Sequence, residues 1–399
     1  MQKFGIIVDM KPNCQNKKIK FKRELIFCAV SFALFLVMLL LKTNVKICEW
    51  WTVNVSQKIV WLASTLTGWF GFSLFEFLCA AVIVIGIVLL VTIIVLFCRQ
   101  KGRVALKILA VVLCVALTIV CVYTASAGFA YNRKELPVQI KQGDIERTKI
   151  NEYAEYFVDL LNDVSRKIER DKDGVVVCPY TTKKLSDLLS KEYERLDKTY
   201  FYNKTPRAKG VTLSKIMSQA QITGVFFAPT GEVNINVDFP KSTFAVTMAH
   251  EMAHGKGVMR ENDANLLAYY VTLMSDDYYV KYNALFSLVG SVARAVSYYP
   301  DSLAEWKALI KKISPEVTNE MNFYNEYWKN HDKLAKIEEW FNDLYLKMSG
   351  VKQGTKSYVD GDGNEYGEDL DGDGRKIATK INFSRPQRMV FLLIEKGCI

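Results

Sequence analysis

Histidine is almost missing from this chain: three occur in 399 residues, at positions 250, 254 and 331. Cysteine is thin beyond Tyr131, where only Cys178 and Cys398 remain, and no two cysteines stand at CxxC spacing. No thiolate pair therefore competes with the histidines for a metal. The net charge is +10, yet no basic stripe interleaved with aromatics accompanies it, which excludes a nucleic-acid partner. No apolar core lies near residue 10 and no small-residue cleavage site follows one, so a cleaved signal peptide is not expected.

Apolar residues, by contrast, are in excess, making up half of the chain. They concentrate in residues 25–41, 77–97 and 104–124, uninterrupted runs close to the roughly 20 residues that cross a bilayer. Three transmembrane helices are expected, with the lipid bilayer as a partner. Lys3, Lys11, Lys17, Lys18, Lys20, Lys22 and Arg23 precede the first run, and Arg99, Lys101, Arg103 and Lys107 lie around the link between the second and third. Positive residues stay on the cytoplasmic side, so the tail 1–24 is expected there and everything after about Ala130 on the extracytoplasmic side. Within this membrane portion, residues 25–130, the stretch 46–70 mixes Trp50, Trp51, Trp61 and Trp69 with polar positions and reads as an interfacial helix.

From Tyr131 to Ile399 the composition is that of a water-soluble, mainly helical domain. Ile150, Ala154, Phe157, Leu161, Val164 and Ile168 recur at helical steps, predicting a helix over 144–170 closed by Asp173-Gly174. A strand at 175–178 and a helix near 181–196 follow. Val225-Phe226-Phe227-Ala228, then Pro229-Thr230-Gly231-Glu232, then Val233, Ile235 and Val237 in alternation predict a hairpin. After it, Pro240 is expected to open a helix that stops at Gly255 and Gly257, and a second helix runs from about Arg260 toward Val280.

The first of these helices carries His250, Glu251 and His254. Residues four apart share a helical face, so two imidazoles can meet on one cation while Glu251 stands beside them as a general base. Zinc is the expected cofactor, because it polarises a carbonyl and lowers the pKa of bound water toward neutrality. A third protein ligand is needed, and Glu261 in the first turn of the next helix is the candidate. Asn265, one turn later, is placed to support the ligands from behind, through a histidine's second nitrogen or nearby backbone. Arg260 occupies the position where a different zincin class has its third histidine.

Three segments also resemble a known family: Phe226-Phe227-Ala228-Pro229-Thr230-Gly231-Glu232-Val233-Asn234-Ile235-Asn236, His250-Glu251-Met252-Ala253-His254, and Arg260-Glu261-Asn262-Asp263-Ala264-Asn265-Leu266-Leu267-Ala268-Tyr269. They are similar to the bacterial membrane-protein family catalogued as domain of unknown function 3810, and the likeness takes in the three leading spans. The core further resembles the gluzincin peptidases. That resemblance implies zinc on His250, His254 and Glu261, Glu251 as general base, and Val225, Phe226, Phe227 and Ala228 as an edge strand that holds an extended substrate.

The tail departs from the family pattern. Residues 360–374 hold seven carboxylates among glycines, as Ca2+ loops do, but Lys380 stands where the register from Asp369 needs a bidentate carboxylate. An acidic flexible insertion fits better. Tyr358, just before it, is placed to donate to an oxyanion, although a core or surface tyrosine explains it as well. Cys178 and Cys398 can pair in an oxidising compartment, and two unrelated thiols explain them equally. His331 reads as a surface residue.

The expected fold is α+β, mainly α: three N-terminal transmembrane helices, then a zincin-like, gluzincin-type helical domain (131–399) with a small antiparallel sheet or hairpin beside the HExxH helix. The expected function is a membrane-anchored zinc metallopeptidase acting on protein or peptide substrates at the extracytoplasmic face of a bacterial plasma membrane. The competing expectation is a catalytically silent zinc-binding protein or a cell-envelope scaffold or sensor, against which the intact Glu251 argues.

Overall fold

The computed structural model describes residues 22–136, 145–348, 351, 364–372 and 374–399. Most of the basic tail, Tyr358, residues 360–363 and Asp373 lie outside the described residues. The chain is mainly helical with two small sheets. It opens with α1 (Lys22–Leu41), α2 (Val45–Trp51), a π-helical turn at Thr52–Ser56, α3 (Gln57–Thr67), α4 (Leu74–Cys98) and α5 (Gly102–Ser126).

α1, α4 and α5 are each long and apolar enough to cross a membrane. α4 buries none of its residues, leaving side chains such as Val82, Ile83 and Leu90 bare along its length. A surface of that kind is tolerated in lipid and not in water. The described residues form two compact units. One holds 22–36 and 82–121, where Glu24 pairs with Lys107 at 3.6 Å and Cys121 Sγ donates to Ser31 O at 3.4 Å.

The second unit comprises Val37–Ala81 and Val122–Ile399. α2 starts on Asn44, whose side chain accepts from the Lys46 and Ile47 amides. α6 (Arg147–Ser165) buries Ile150, Ala154, Phe157, Leu161 and Val164 as its spacing requires. It stops at Ser165 and does not run on to 170. The Asp171 side chain accepts from the Asp173 and Val175 amides, and Gly174 takes φ +78°, so Asp173-Gly174 closes a tight turn and not the helix. The expected strand at 175–178 reduces to a single bridge between Arg170 and Val176.

α7 (Thr182–Glu194), capped by Thr181, leads to β1 (Ala208–Gly210), α8 (Ser214–Gln219), β2 (Gly224–Phe227) and β3 (Glu232–Ile235). β2 and β3 form the expected antiparallel hairpin, and β1 adds to β3 in parallel, giving the order β1-β3-β2 with β2 outermost. α9 (Phe244–Gly255) packs against β2 and β3, and α10 (Glu261–Leu273) and α11 (Tyr278–Val296) pack against α9 and each other. α9 begins at Phe244 and not at Pro240. α10 ends at Leu273 short of Val280, because Asp277 caps a new helix by accepting from the Val280 amide at 3.0 Å.

α12 (Leu303–Lys312), α13 (Pro315–Lys329) and α14 (Ala335–Met348) follow, then the β4 (Glu365–Leu370) and β5 (Lys376–Lys380) hairpin and α15 (Arg385–Glu395). Within the acidic segment, Glu365–Leu370 form strand β4. Asp371, which falls in the calcium-like register, accepts from the Arg375 amide at 2.8 Å and pairs with the Arg375 guanidinium at 3.3 Å. His331 sits between α13 and α14, stacked on Tyr327 at 4.0 Å. Cys178 and Cys398 are both free thiols.

One buried pair fastens the start of α10 to the end of the chain. Asp263 accepts from Arg385 Nη1 at 2.6 Å and from the Leu136 amide at 3.2 Å, and both charged side chains are buried. Removing one partner of such a pair strands the other's charge. Arg385→Ala is therefore expected to cost about 3–5 kcal/mol in denaturant unfolding of the full chain in detergent. An unchanged unfolding midpoint would show that the pair holds nothing.

Candidate metal centre

His250, Glu251 and His254 lie in the last two turns of α9, and Glu261 is the first residue of α10. The chain reverses between them through Gly257 at φ +76°, a left-handed conformation that side chains resist. One helical turn separates the two imidazoles, whose ring centres stand 4.7 Å apart. Nε2 of His250 is 3.1 Å, and Nε2 of His254 3.5 Å, from Oε2 of Glu261. Ligand atoms of all three residues fall within 4.8 Å of one another, a grouping found nowhere else among the described residues.

These donors fit a small tetrahedral cation. Ligands held about 2.0–2.1 Å from zinc stand about 3.3–3.4 Å from each other, the spacing that the two nitrogens bracket around the carboxylate. Nδ1 of His254 lies 2.8 Å from the Val258 carbonyl, so in the neutral ring that nitrogen keeps the proton and Nε2 turns its lone pair to the cluster. Nδ1 of His250 is buried with no hydrogen-bond partner. Asn265 lines the same cavity, but neither second nitrogen is bonded to it.

Charge is divided sharply within this site. Burial works against ionisation of Glu261, yet His254 and His250 beside it hold the carboxyl down at about 2. Burial likewise opposes charge on His254, and Glu261 overcomes it, lifting the imidazole to about 9. Glu251 goes the other way: burial pushes its carboxyl up, with the two imidazoles and a bond from the Phe226 amide offsetting only part of that.

β2 runs directly over Glu251. The Thr223 carbonyl accepts from the Asn236 amide, so by alternation Val225 and Phe227 face β3 while Gly224 and Phe226 turn their backbone groups to the open edge. A Cβ on Gly224 would fall 2.5 Å from Glu251 Cγ and 2.8 Å from its carboxyl carbon. Only glycine leaves the acid this close to the strand. Gly224, the Phe226 amide and the Val258 carbonyl are the site groups that motif spacing missed, since none carries a distinguishing side chain. A cavity of about 1130 Å³ extends from the cluster along β2, lined also by Tyr123, Tyr131, Tyr269 and Tyr324. The expected edge residues Val225, Phe226, Phe227 and Ala228 all line it.

The profile of a family described as Protein of unknown function (DUF3810) matches residues 52–360, which include the whole of this site. No curated protein and no solved structure matches the chain.

The Gly224 contact is testable without any activity. Gly224→Ala is expected to destabilise the chain by about 1–3 kcal/mol through overpacking. In a double-mutant cycle with Glu251→Ala, which removes the atoms it strikes, most of that cost should vanish. Additive costs would mean that the two residues do not meet.

Proposed function

This chain belongs to the DUF3810 family of proteins of unknown function, and we propose that it is a membrane-anchored, zinc-dependent metallopeptidase hydrolysing peptide bonds of protein or peptide substrates. The observation that carries the proposal is the convergence of His250 Nε2, His254 Nε2 and a Glu261 oxygen, with a second carboxylate of opposite tendency, Glu251, beside them under an open strand edge. Structural zinc sites close their coordination with four protein ligands, whereas three ligands in a cavity, next to an acid, are the pattern of hydrolytic sites. A zincin-like fold of gluzincin type, with the catalytic unit on the extracytoplasmic face, is the architecture this function implies.

Zinc held by His250, His254 and Glu261 would supply Lewis acidity, polarising a peptide carbonyl and making water a better acid. The remaining work belongs to the chain. Glu251, pushed up by burial toward the range where a carboxylate both takes and gives a proton, accepts one from water and returns it to the leaving amine. The backbone groups of Gly224 and the Phe226 carbonyl at the open edge of β2 pair with an extended peptide and set its scissile carbonyl over α9. Val258, through its carbonyl, holds the His254 ring in place.

Metal content and turnover separate this function from a silent zinc-binding scaffold. Full-length protein purified in detergent should retain about one zinc per chain, and His254→Ala and Glu261→Ala should lose it. Glu251→Gln should keep the metal while hydrolysis of fluorescently labelled casein falls about a hundredfold or more. Equal zinc in all variants would defeat the ligand assignment, and full activity in Glu251→Gln would defeat the role of the base.

A further inference from the structure

The cavity takes one wall from the end of a membrane-length helix, and the sheet that borders it is bonded to the start of another, all within the unit that contains Val37–Ala81 and Val122–Ile399. Glu232, in β3, is 1% exposed and spends its carboxylate on the first turn of α4, accepting from the Leu74 amide at 3.0 Å and the Phe75 amide at 2.9 Å. The first amides of a helix have no partners of their own, and an acid there is favoured by the helix dipole. Lys209 of β1 completes the group at 2.7 Å from Glu232, and Ser73 bonds Asn234 of β3 at 2.7 Å. Glu76 reaches back to the Thr212 and Leu213 amides at 2.9 and 2.8 Å. The sheet whose free edge overlies Glu251 is thus bolted to the point where a span begins.

A second span ends at the cavity. Tyr123 lies in the last turn of α5, about 32 Å along the helix from Gly102 at 1.5 Å per residue, against a hydrocarbon thickness of about 30 Å. Its side chain lines the cavity, contacts the Tyr131 hydroxyl at 3.4 Å and packs with Ala228 and Met259. Around the start of α4 stand bare aromatics, Trp69 at 84% exposure with Phe70 and Phe72, as at a headgroup boundary.

Resting on the hydrolase function above, we infer that the substrate is a polypeptide itself anchored in the bilayer, held extended along β2 and cut within a few residues of the point where it leaves the lipid. A strand edge selects extended backbone and gives a lipid acyl chain nothing to bond, which favours polypeptide over lipid. A segment emerging from the membrane reaches this edge by its own anchoring, whereas a folded soluble protein would meet the headgroups first.

The test reconstitutes the full chain in phosphatidylcholine–phosphatidylglycerol vesicles. The probes share one inert polyleucine transmembrane helix and carry the same unstructured degenerate sequence, either directly at the helix end or behind an uncleavable spacer of about 40 residues. Both gain equally from confinement to the bilayer, so only reach differs. The directly joined probe should be cut at least about tenfold faster, at sites within about ten residues of the helix, roughly 33 Å of extended chain. In a Glu251→Gln background, p-benzoylphenylalanine replacing Tyr123 should crosslink to those same residues. Equal rates for both probes, or crosslinks to lipid alone, would overturn the inference while leaving the hydrolase standing. If neither probe nor labelled casein is cut, the hydrolase falls and the inference with it.

Discussion

A carboxylate taken out of water must be answered by a buried charge or by several donors, and Glu261 is the carboxylate around which the second unit is arranged. It opens α10, where the helix dipole favours an acid, and two imidazoles from α9 face it at 3.1 and 3.5 Å. Asp263, two residues on and so turned to another face of α10, pairs with Arg385 of the last helix at 2.6 Å.

The two acids of the centre differ because their neighbours differ. Glu261 is surrounded by imidazoles and falls to about 2, whereas Glu251, although between the same rings in sequence, lies against strand β2 and rises. Environments that drive two carboxyl groups apart in one site are what acid–base chemistry uses to assign separate roles. Gly224 permits that approach, because a Cβ there would fall 2.5 Å from Glu251 Cγ.

What could be read in the sequence was whatever is local. The three apolar runs, the stripe of α6, the β2–β3 hairpin and the face shared by His250 and His254 each depend on spacing within one or two elements, and each appears in the fold. Glu261 was legible one step further, because a glycine turn fixes how the next helix returns. The misjudged boundaries at Asp173-Gly174 and Val280 share a cause: the Asp171 turn and the Asp277 cap rest on side-chain-to-backbone bonds that leave no periodic trace. β1 was invisible for another reason. Three residues, Ala208, Lys209 and Gly210, carry no alternation, and their parallel partner lies more than twenty positions away. Gly224 and the Val258 carbonyl act through backbone, about which side-chain patterns are silent.

A set of buried bonds between distant parts of the sequence joins the membrane-entering segments to the sheet. Glu232 and Asn234 are buried acceptors on β3, and the groups they answer are the Leu74 and Phe75 amides and the Ser73 hydroxyl. Gly231, at the hairpin turn, abuts the backbone of α3 so closely that a Cβ would fall 2.6 Å from the Ser64 amide. Arg133, just after the third span, bridges Glu49 of α2 to the carbonyl of Gly257, the residue that turns α9 toward α10. A break between the spans and the rest would therefore strand a buried carboxylate, a buried amide and a buried guanidinium at once, each a cost of the order of 1–3 kcal/mol or more. The same contacts fix the height of β2 and the His–Glu cluster above the start of α4. Anchoring and site geometry are one constraint: the groups that hold the helix ends are carried by the strand beside the open sheet edge and by the turn that leads to Glu261.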